Sequence, residues 1–307
     1  MAEKILAVCG ATASGKTGFS IDAAQELGGE VVSADCMLVY RGLDIGTAKP
    51  TSSEKRGVPH HMIDIVSPRE SYSVSDYERG ALSSIEQILS RGKLPVICGG
   101  TGFYIQSLLF SRSNGGIGAD ERVRKKYNDY AEQNGKEALY ALLCERDPHS
   151  AEKIHCNDQK RVVRALEIFE LTGRRKSEQC DGFVPRRPYL AVAFDYPREE
   201  LYSRINFRVD EMIRAGLVDE VRALYENGID ETCQSMQGIG YKEVLQYLKN
   251  EISHSTMCDI IKQNTRNYAK RQLTFFRKLP GIVWLDPKAK NNLELVREML
   301  CLSLIHI

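Results

Sequence analysis

The feature that most constrains the fold is a glycine-rich octapeptide between a short apolar run and a helical pattern. Residues 4–9 form the apolar run, which is typical of a buried parallel strand. After the octapeptide, apolar residues recur with helical spacing as far as Leu27, and two glycines then end the predicted helix. The octapeptide has the spacing G-x-x-x-x-G-K-[ST] and consists of Gly10, Ala11, Thr12, Ala13, Ser14, Gly15, Lys16 and Thr17.

A loop of this kind is suited to binding phosphate. Its glycines let backbone N–H groups close around phosphate oxygens, and the positive end of the following helix points at them. Lys16 adds a mobile positive charge, and the Thr17 hydroxyl can join the coordination of Mg²⁺. The loop therefore predicts a di- or triphosphate ligand, with ATP as the default, but it does not identify the reaction.

Predicted strands and helices alternate on both sides of a helical stretch. Strands are predicted over residues 30–34, 94–98, 189–195 and 282–285, whereas only helical periods are found from about 120 to 178. This pattern indicates an α/β fold with a parallel sheet flanked by helices, similar to P-loop NTPases. The core is predicted over residues 1–117 and 183–307, with an all-helical insertion domain over residues 118–182.

Composition narrows the function classes. The net charge of the 307 residues is +1, so nucleic-acid binding needs a local basic patch. Nine cysteines without a C-x-x-C pair argue against a disulfide framework or a zinc site, and fit a reducing cytoplasm. No apolar run approaches the roughly 18 residues that span a bilayer. We expect a cytoplasmic protein with no membrane partner, and nothing requires more than a monomer.

The acidic residues near the predicted strands leave the reaction open. ATPases and GTPases usually carry a second strand that ends in a metal-holding Asp. The strand over residues 94–98 ends instead in Gly-Gly-Thr, whereas the strand over residues 30–34 is followed by Asp35. A small-molecule kinase and a group transfer from a diphosphate both fit this arrangement.

Several strings spread along the chain together resemble the tRNA dimethylallyltransferases. Besides the octapeptide, they are S-A-D at 33–35, V-Y-R-G-L-D-I-G-T-A-K-P at 39–50, V-P-H-H-M-I-D at 58–64, G-G-T-G-F-Y at 99–104, N-D at 157–158, R-A-L-E at 164–167, G-I-G-Y-K-E at 238–243 and Y-A-K-R-Q at 268–272. The strings occur in the family's order and cover nearly the whole chain.

The resemblance implies a specific reaction and roles for three residues. Dimethylallyl diphosphate would sit in the octapeptide loop, and the N6 amine of the adenosine at tRNA position 37 would attack its prenyl carbon. Diphosphate would leave with Mg²⁺, and the target base must be out of the stack. Asp35 matches the general base, Thr101 a hydroxyl between diphosphate and acceptor, and Arg208 an arginine against the diphosphate. Alternatively, Asp35 caps a turn, Thr101 caps a helix, and Arg208 pairs with Glu200 or Glu211.

The resemblance also implies contacts with tRNA. Residues 262–278 contain six basic residues and no acidic one, and Lys262, Arg266 and Lys270 repeat at helical spacing. A solvated helix face would give the same pattern, and Arg161 and Arg164 could instead pair with Asp158 and Glu167. The implied tRNA-binding residues are Asp35, Cys36, Met37, Leu38, Thr101, Lys160, Arg161, Arg164, Arg266, Lys270 and Arg271, with those of the insertion facing the anticodon stem-loop.

The sequence departs from the family at the acceptor string. The usual string is Asp-Ser-x-Gln, whereas this chain has Leu38 at the Gln position, where no side-chain hydrogen bond to a base is available. Three alternatives therefore remain: a small-molecule kinase that uses ATP, prenyl transfer to a free adenine nucleotide, and a non-catalytic nucleotide-dependent RNA-binding protein.

Overall fold

A six-stranded parallel sheet forms the centre of the protein. The computed structural model describes residues 4–111, 118–178 and 183–301. The sheet order is β3-β2-β4-β1-β7-β8, and two further strands, β5 and β6, pair with each other. The strands are β1 Ile5–Cys9, β2 Gly29–Ser33, β3 His60–His61, β4 Leu94–Gly99, β5 Phe110–Ser111, β6 Val184–Pro185, β7 Tyr189–Phe194 and β8 Ile282–Leu285.

Helices cover both faces of the sheet and form a separate cluster in the middle of the chain. They are α1 Lys16–Leu27, α2 Ser52–Lys55, α3 Val74–Ser90, α4 Gly102–Leu109, α5 Glu121–Asn134, α6 Lys136–Arg146, α7 Pro148–Ala151, α8 Gln159–Thr172, α9 Arg198–Arg214, α10 Leu217–Glu226, α11 Tyr241–Leu248, α12 His254–Phe276 and α13 Asn292–Cys301. Within the described residues, none of these helices is both long and apolar enough to cross a bilayer.

The continuous apolar run of β1 reflects burial on both faces. Alternate residues of β1 enter two different hydrophobic clusters: Ile5 packs with residues of α3 and α4, and Leu6 packs with residues of α1 and α13. Every residue of β1 is buried. The predicted α/β class with a helix-flanked parallel sheet is confirmed.

The strand order separates Asp35 from the strand that leads into the glycine-rich loop. Asp35 follows β2, and β4 lies between β1 and β2. The close approach of β2 to β4 starts at Gly29, where an added Cβ would lie 2.6 Å from the Leu94 carbonyl oxygen. Asp35 therefore enters the site from β2, which is separated from β1 by β4.

The chain divides into two compact units. The first comprises residues 1–110 and 185–307, and the second residues 111–184. In the second unit α5 to α8 enclose a small apolar core that includes Tyr127, Leu143 and Leu166. The sequence predicted boundaries after 117 and 182, positions that lie outside the described residues. It did not predict α7, which begins at Pro148 and is capped by the Asp147 carboxylate.

A buried carboxylate anchors β2. Glu30 is 3% exposed and accepts hydrogen bonds from His61 at 2.7 Å and Arg91 at 2.8 Å, and lies 3.0 Å from the Lys93 ammonium. Burial alone would raise the pKa of Glu30, but the hydrogen bonds from these three partners lower it to about 2. This ionised carboxylate therefore stabilises the strand that leads to Asp35.

We expect Glu30→Gln to lower the free energy of unfolding by about 2 kcal/mol at neutral pH, because it removes charged hydrogen bonds to a buried group. The folded pKa of Glu30, about 2, lies below the unfolded value of about 4.3. The wild-type advantage should thus be full above about pH 5 and disappear as pH falls toward 2. Urea unfolding across this range measures the difference; a deficit that does not change with pH, or an equal one in the exposed control Glu226→Gln, would contradict it.

Candidate active site

A cavity of about 490 Å³ opens at the carboxyl ends of β1, β2 and β4. Four residues of the glycine-rich loop line it, and so do residues 35–38 after β2 and two arginines from α9 and α12. These predicted residues are Thr12, Ala13, Lys16, Thr17, Asp35, Cys36, Met37, Leu38, Arg208 and Arg271. The structure therefore brings the predicted phosphate loop, base and acceptor string to one cavity.

The glycine-rich loop is held in a tight curve by side chains that bind its carbonyl groups. Ala13 has a left-handed φ of 61°, which is unfavourable for a residue with a Cβ. The Arg204 guanidinium donates to the Ala13 carbonyl at 2.8 Å, and the Lys16 ammonium donates to the Ala11 carbonyl at 3.2 Å. Arg204 thus stabilises the loop from α9.

Two desolvated cations and one carboxylate dominate the electrostatics of the cavity. Burial lowers the pKa of Lys16, and repulsion from Arg208 lowers it further, whereas Asp35 opposes the shift. Burial also lowers the pKa of Arg208, again opposed by Asp35. An anion bound between Lys16 and Arg208 would relieve both the desolvation and the repulsion.

The alternative partners predicted for Arg208 are wrong. Glu200 pairs with Lys288 at 3.1 Å, and Glu211 pairs with Arg214 one turn away. Arg208 is therefore directed into the cavity rather than into a solvated ion pair on its own helix.

Asp35 has one oxygen committed to its own turn. Its Oδ1 accepts a hydrogen bond from the Met37 N–H at 2.9 Å, so the turn-capping role predicted as an alternative is present. The carboxylate nevertheless lines the cavity. The turn fixes the orientation of Asp35, and this is compatible with a second role for the other oxygen.

Thr101 joins the ends of β2 and β4. Its Oγ1 accepts a hydrogen bond from the Cys36 N–H at 3.0 Å, and its own N–H donates to the Ala34 carbonyl at 3.1 Å. Thr101 occupies the position before α4, but its side chain does not cap that helix, so the predicted alternative is wrong. The Thr101 hydroxyl also lies within hydrogen-bonding reach of the Tyr268 hydroxyl and of the Cys36 thiol.

A buried glutamine of α12 connects the glycine-rich loop to the end of β4. Gln272 accepts from the Thr12 N–H at 2.9 Å and donates to the Gly100 carbonyl at 2.8 Å. A Cβ on Gly100 would lie 2.2 Å from the Gln272 Nε2, and one on Gly102 would lie 2.3 Å from the Phe275 ring. The glycines after β4 therefore make room for α12. Gln272 lies within the Y-A-K-R-Q string, but its contacts with these loops were not predicted from the sequence.

The cations predicted to bind tRNA along α12 differ in how they are held. Lys262 pairs with Asp210 at 2.6 Å, and Arg266 donates to Asn206 at 2.6 Å, so both are tied to α9. Lys270 and Arg271 are exposed. The Arg271 guanidinium lies over the Tyr268 ring, 5.7 Å from its centroid.

In the second unit, the pairing predicted as an alternative for two cations is present. Arg161 pairs with Asp158 at 3.3 Å, and Arg164 pairs with the buried Glu167 at 2.6 Å. Lys160 is exposed. The tRNA-binding role of all three residues stays a prediction.

The two histidines of β3 have different surroundings. His61 binds Glu30, and no cluster of three or more His, Cys, Asp or Glu residues suited to a metal occurs in the described parts of the chain. His60 lines the cavity, with its Nδ1 2.8 Å from the Val58 carbonyl oxygen. The eight cysteines within residues 4–111, 118–178 and 183–301 are free thiols.

Comparison with known proteins shows the family to which the chain belongs. The model of the IPP transferase family matches residues 38–279, and that of isopentenyl transferase matches residues 3–67. The tRNA dimethylallyltransferase of Acetivibrio thermocellus is 45% identical over 92% of this chain and 92% of its own length. That of Halalkalibacterium halodurans is 46% identical over 93% and 92%.

Solved structures agree in sequence and in fold. The tRNA isopentenylpyrophosphate transferase of Bacillus halodurans is 42% identical, covers 98% of this chain and 97% of its own, and has a TM-score of 0.73. A eukaryotic dimethylallyltransferase acting on tRNA is 32% identical, covers 97% and 78%, and has a TM-score of 0.82. The fold and these matches define a prenyltransferase. The chain belongs to the tRNA dimethylallyltransferase family.

We expect Gln272→Met to weaken diphosphate binding about 3- to 10-fold, because the Thr12 N–H and the Gly100 carbonyl lose a shared partner. Isothermal titration calorimetry with inorganic diphosphate measures this. Thr274→Ala is the matched control, since its hydroxyl binds only the Lys270 carbonyl of the same helix. Equal affinities in wild type and Gln272→Met would show that the bridge does not shape the loop.

Proposed function

We propose that the protein transfers a dimethylallyl group from dimethylallyl diphosphate to the N6 amine of the adenosine at tRNA position 37, releasing diphosphate. The observation that carries the proposal is that one cavity, in a chain of this family, is lined by Lys16 and Arg208 together with Asp35. A cationic cradle for a leaving diphosphate and a carboxylate for the attacking amine are the two groups that this reaction needs.

The donor diphosphate is held by the glycine-rich loop in this proposal. Backbone N–H groups at the start of α1 and the cations of Lys16 and Arg208 bind its oxygens. These positive charges act most strongly on the diphosphate as it leaves, because negative charge then accumulates on it. Departure of diphosphate is therefore favoured by groups that are already in position.

The loop also suits Mg²⁺, which we propose as the cofactor. The Thr17 hydroxyl lines the cavity, and two buried polar atoms nearby, Ser33 Oγ and His60 Nε2, have no hydrogen-bond partner within the described residues. Such atoms fit a bound hydrated cation better than an apolar ligand. Mg²⁺ would be held by Thr17 and the diphosphate, and would neutralise charge on the leaving group.

Asp35 is the proposed general base. Its Oδ1 is fixed by the Met37 N–H, so the other oxygen can accept the proton that the N6 amine loses as it forms a bond to carbon. Thr101 is proposed to lie between the diphosphate and the acceptor base, with its Oγ1 oriented by the Cys36 N–H. The acceptor adenine is proposed to lie beside Met37 and Leu38, and Leu38 would contact it only through apolar atoms.

The tRNA is proposed to lie against the exposed cations of α12 and the basic residues of the second unit. We expect the reaction to occur in the cytoplasm, since the proposed acceptor is tRNA and the described cysteines are free thiols. We propose that the protein acts as a monomer.

We expect Asp35→Asn to lower the rate of prenyl transfer about 10²- to 10⁴-fold while diphosphate still binds, because only the proton acceptor is lost. The assay follows label from dimethylallyl diphosphate into bulk tRNA with Mg²⁺, and calorimetry measures diphosphate binding. Asp22→Asn, which alters a surface ion pair with Arg56, is the control. Normal turnover by Asp35→Asn would remove the base assignment, and label on AMP but not on tRNA, or ATP turnover without transfer, would contradict the proposed function.

We expect Lys270→Ala and Arg271→Ala each to weaken tRNA binding and to reduce the slope of log affinity against log salt by about 0.7–0.9, as loss of one phosphate contact requires. Filter binding at several salt concentrations measures the slope. Lys290→Ala changes an exposed cation in the turn before α13 and should leave the slope unchanged. Identical slopes in all three variants and wild type would exclude Lys270 and Arg271 as phosphate contacts.

A further inference from the structure

Three cavity-lining residues each carry a buried polar atom without a hydrogen-bond partner among the described residues. These atoms are Ser33 Oγ, Tyr40 Oη and His60 Nε2. Ser33 is 2% exposed and Tyr40 is 1% exposed. Because folded proteins seldom leave buried polar atoms unpaired, these positions indicate where a bound group or ordered water completes the wall.

Ser33 and His60 lie on the α1 face of the sheet. Ser33 is the register partner of Cys98, and His60 is the register partner of Val31. Partners in parallel strands direct their side chains to the same face. Val31 and Cys98 both pack in the cluster that contains Ile21 of α1. Ser33 and His60 therefore face the same side of the sheet as the first turn of α1.

The first turn of α1 contributes the hydroxyl of the glycine-rich loop to the same region. Thr17 lines the cavity, and its side chain lies within hydrogen-bonding reach of the Cys98 thiol. Cys98 is in turn beside Ser33 across the β4–β2 pairing. We call Thr17, Ser33, His60 and Cys98 the α1-side lobe of the cavity.

The free nitrogen of His60 is an acceptor. A carbonyl oxygen can only accept, so the Nδ1 that lies 2.8 Å from the Val58 carbonyl must carry the ring hydrogen. Burial lowers the pKa of His60, which favours this neutral form. The Nε2 therefore carries a free lone pair, and the Ser33 hydroxyl, on the same face of the sheet, can also accept a hydrogen bond.

The α1-side lobe is suited to binding water on a metal rather than the metal itself. It presents neutral acceptors, and the described residues hold no cluster of three or more His, Cys, Asp or Glu side chains around a common point. Mg²⁺ bound to phosphates usually keeps several of its waters. Water on a divalent cation is a strong hydrogen-bond donor, which is the complement of Ser33 Oγ and His60 Nε2.

We propose that Ser33 and His60 hold the water shell of the Mg²⁺ that binds with the donor diphosphate, with the Thr17 hydroxyl as the protein ligand of the ion. This inference rests on the proposed function and extends it to a second layer of residues. Ser33 and His60 then determine the Mg²⁺ concentration that the site needs. The glycine-rich loop, Lys16 and Arg208 determine the affinity for diphosphate.

Calorimetric titration of inorganic diphosphate at increasing Mg²⁺ concentrations tests the proposal. We expect the half-saturating Mg²⁺ concentration to rise about 3- to 10-fold in Ser33→Ala and in His60→Leu, as loss of one hydrogen bond to metal-bound water requires. His60→Gln, which restores an acceptor oxygen, should shift it less. Diphosphate affinity without Mg²⁺ should remain within about twofold of wild type in all variants.

His61→Gln is the matched control, because His61 is the neighbouring residue of β3, binds Glu30 and does not line the cavity. The proposal is overturned if Ser33→Ala and His60→Leu keep the wild-type Mg²⁺ midpoint, or if His61→Gln shifts it as much as His60→Leu does. Failure of wild type to bind diphosphate at any Mg²⁺ concentration would instead reject the proposed function. An unchanged midpoint with intact prenyl transfer would reject only the role of Ser33 and His60.

Discussion

The site depends on the close contact between α12 and the loops at the carboxyl ends of β1 and β4. Gln272 binds the backbone of both loops, and the glycines at 100 and 102 leave the space that Gln272 and Phe275 occupy. A single side chain therefore sets the spacing between the phosphate loop and the Thr101 segment. Because α12 also carries exposed cations on its surface, one rigid helix links the proposed contact with RNA to the geometry around the diphosphate.

The charge distribution follows from that arrangement. Lys16 and Arg208 are partly removed from water and repel each other, and Asp35 is the carboxylate that acts on both. A site with this excess of positive charge is stabilised by an anionic ligand, whereas Asp35 keeps a base within the same cavity. The charges that favour binding of a diphosphate also stabilise the negative charge that accumulates on it as its bond to the prenyl carbon breaks.

The sequence predicted those parts of the structure that local pattern controls. The apolar run, the loop and the helix after it were readable because strand, turn and helix signals coincide around Gly10 and Lys16. The strand order β2-β4-β1 could not be predicted from the sequence, because periodicity carries no information on which strands pair. The contacts of Gln272 were missed for a related reason, because they join residues more than a hundred positions apart. Whether Arg208 faces the cavity depends on which way its helix face points. The proposed roles of Asp35, Thr101 and the cations came from resemblance, and the structure adds their hydrogen bonds.

The sheet order has a consequence for how the chain is made. β1 lies between β4, which is synthesised before the second unit, and β7, which is synthesised after it. A nascent chain on the ribosome therefore holds β1 with one edge unpaired until the whole insertion has emerged, and the loop that follows β1 lacks its Gln272 support for longer still. Such delayed, non-local pairing is slow and exposes an apolar edge. Fragments that end before α12 would carry the phosphate-loop sequence without the Gln272 contacts that join it to the end of β4.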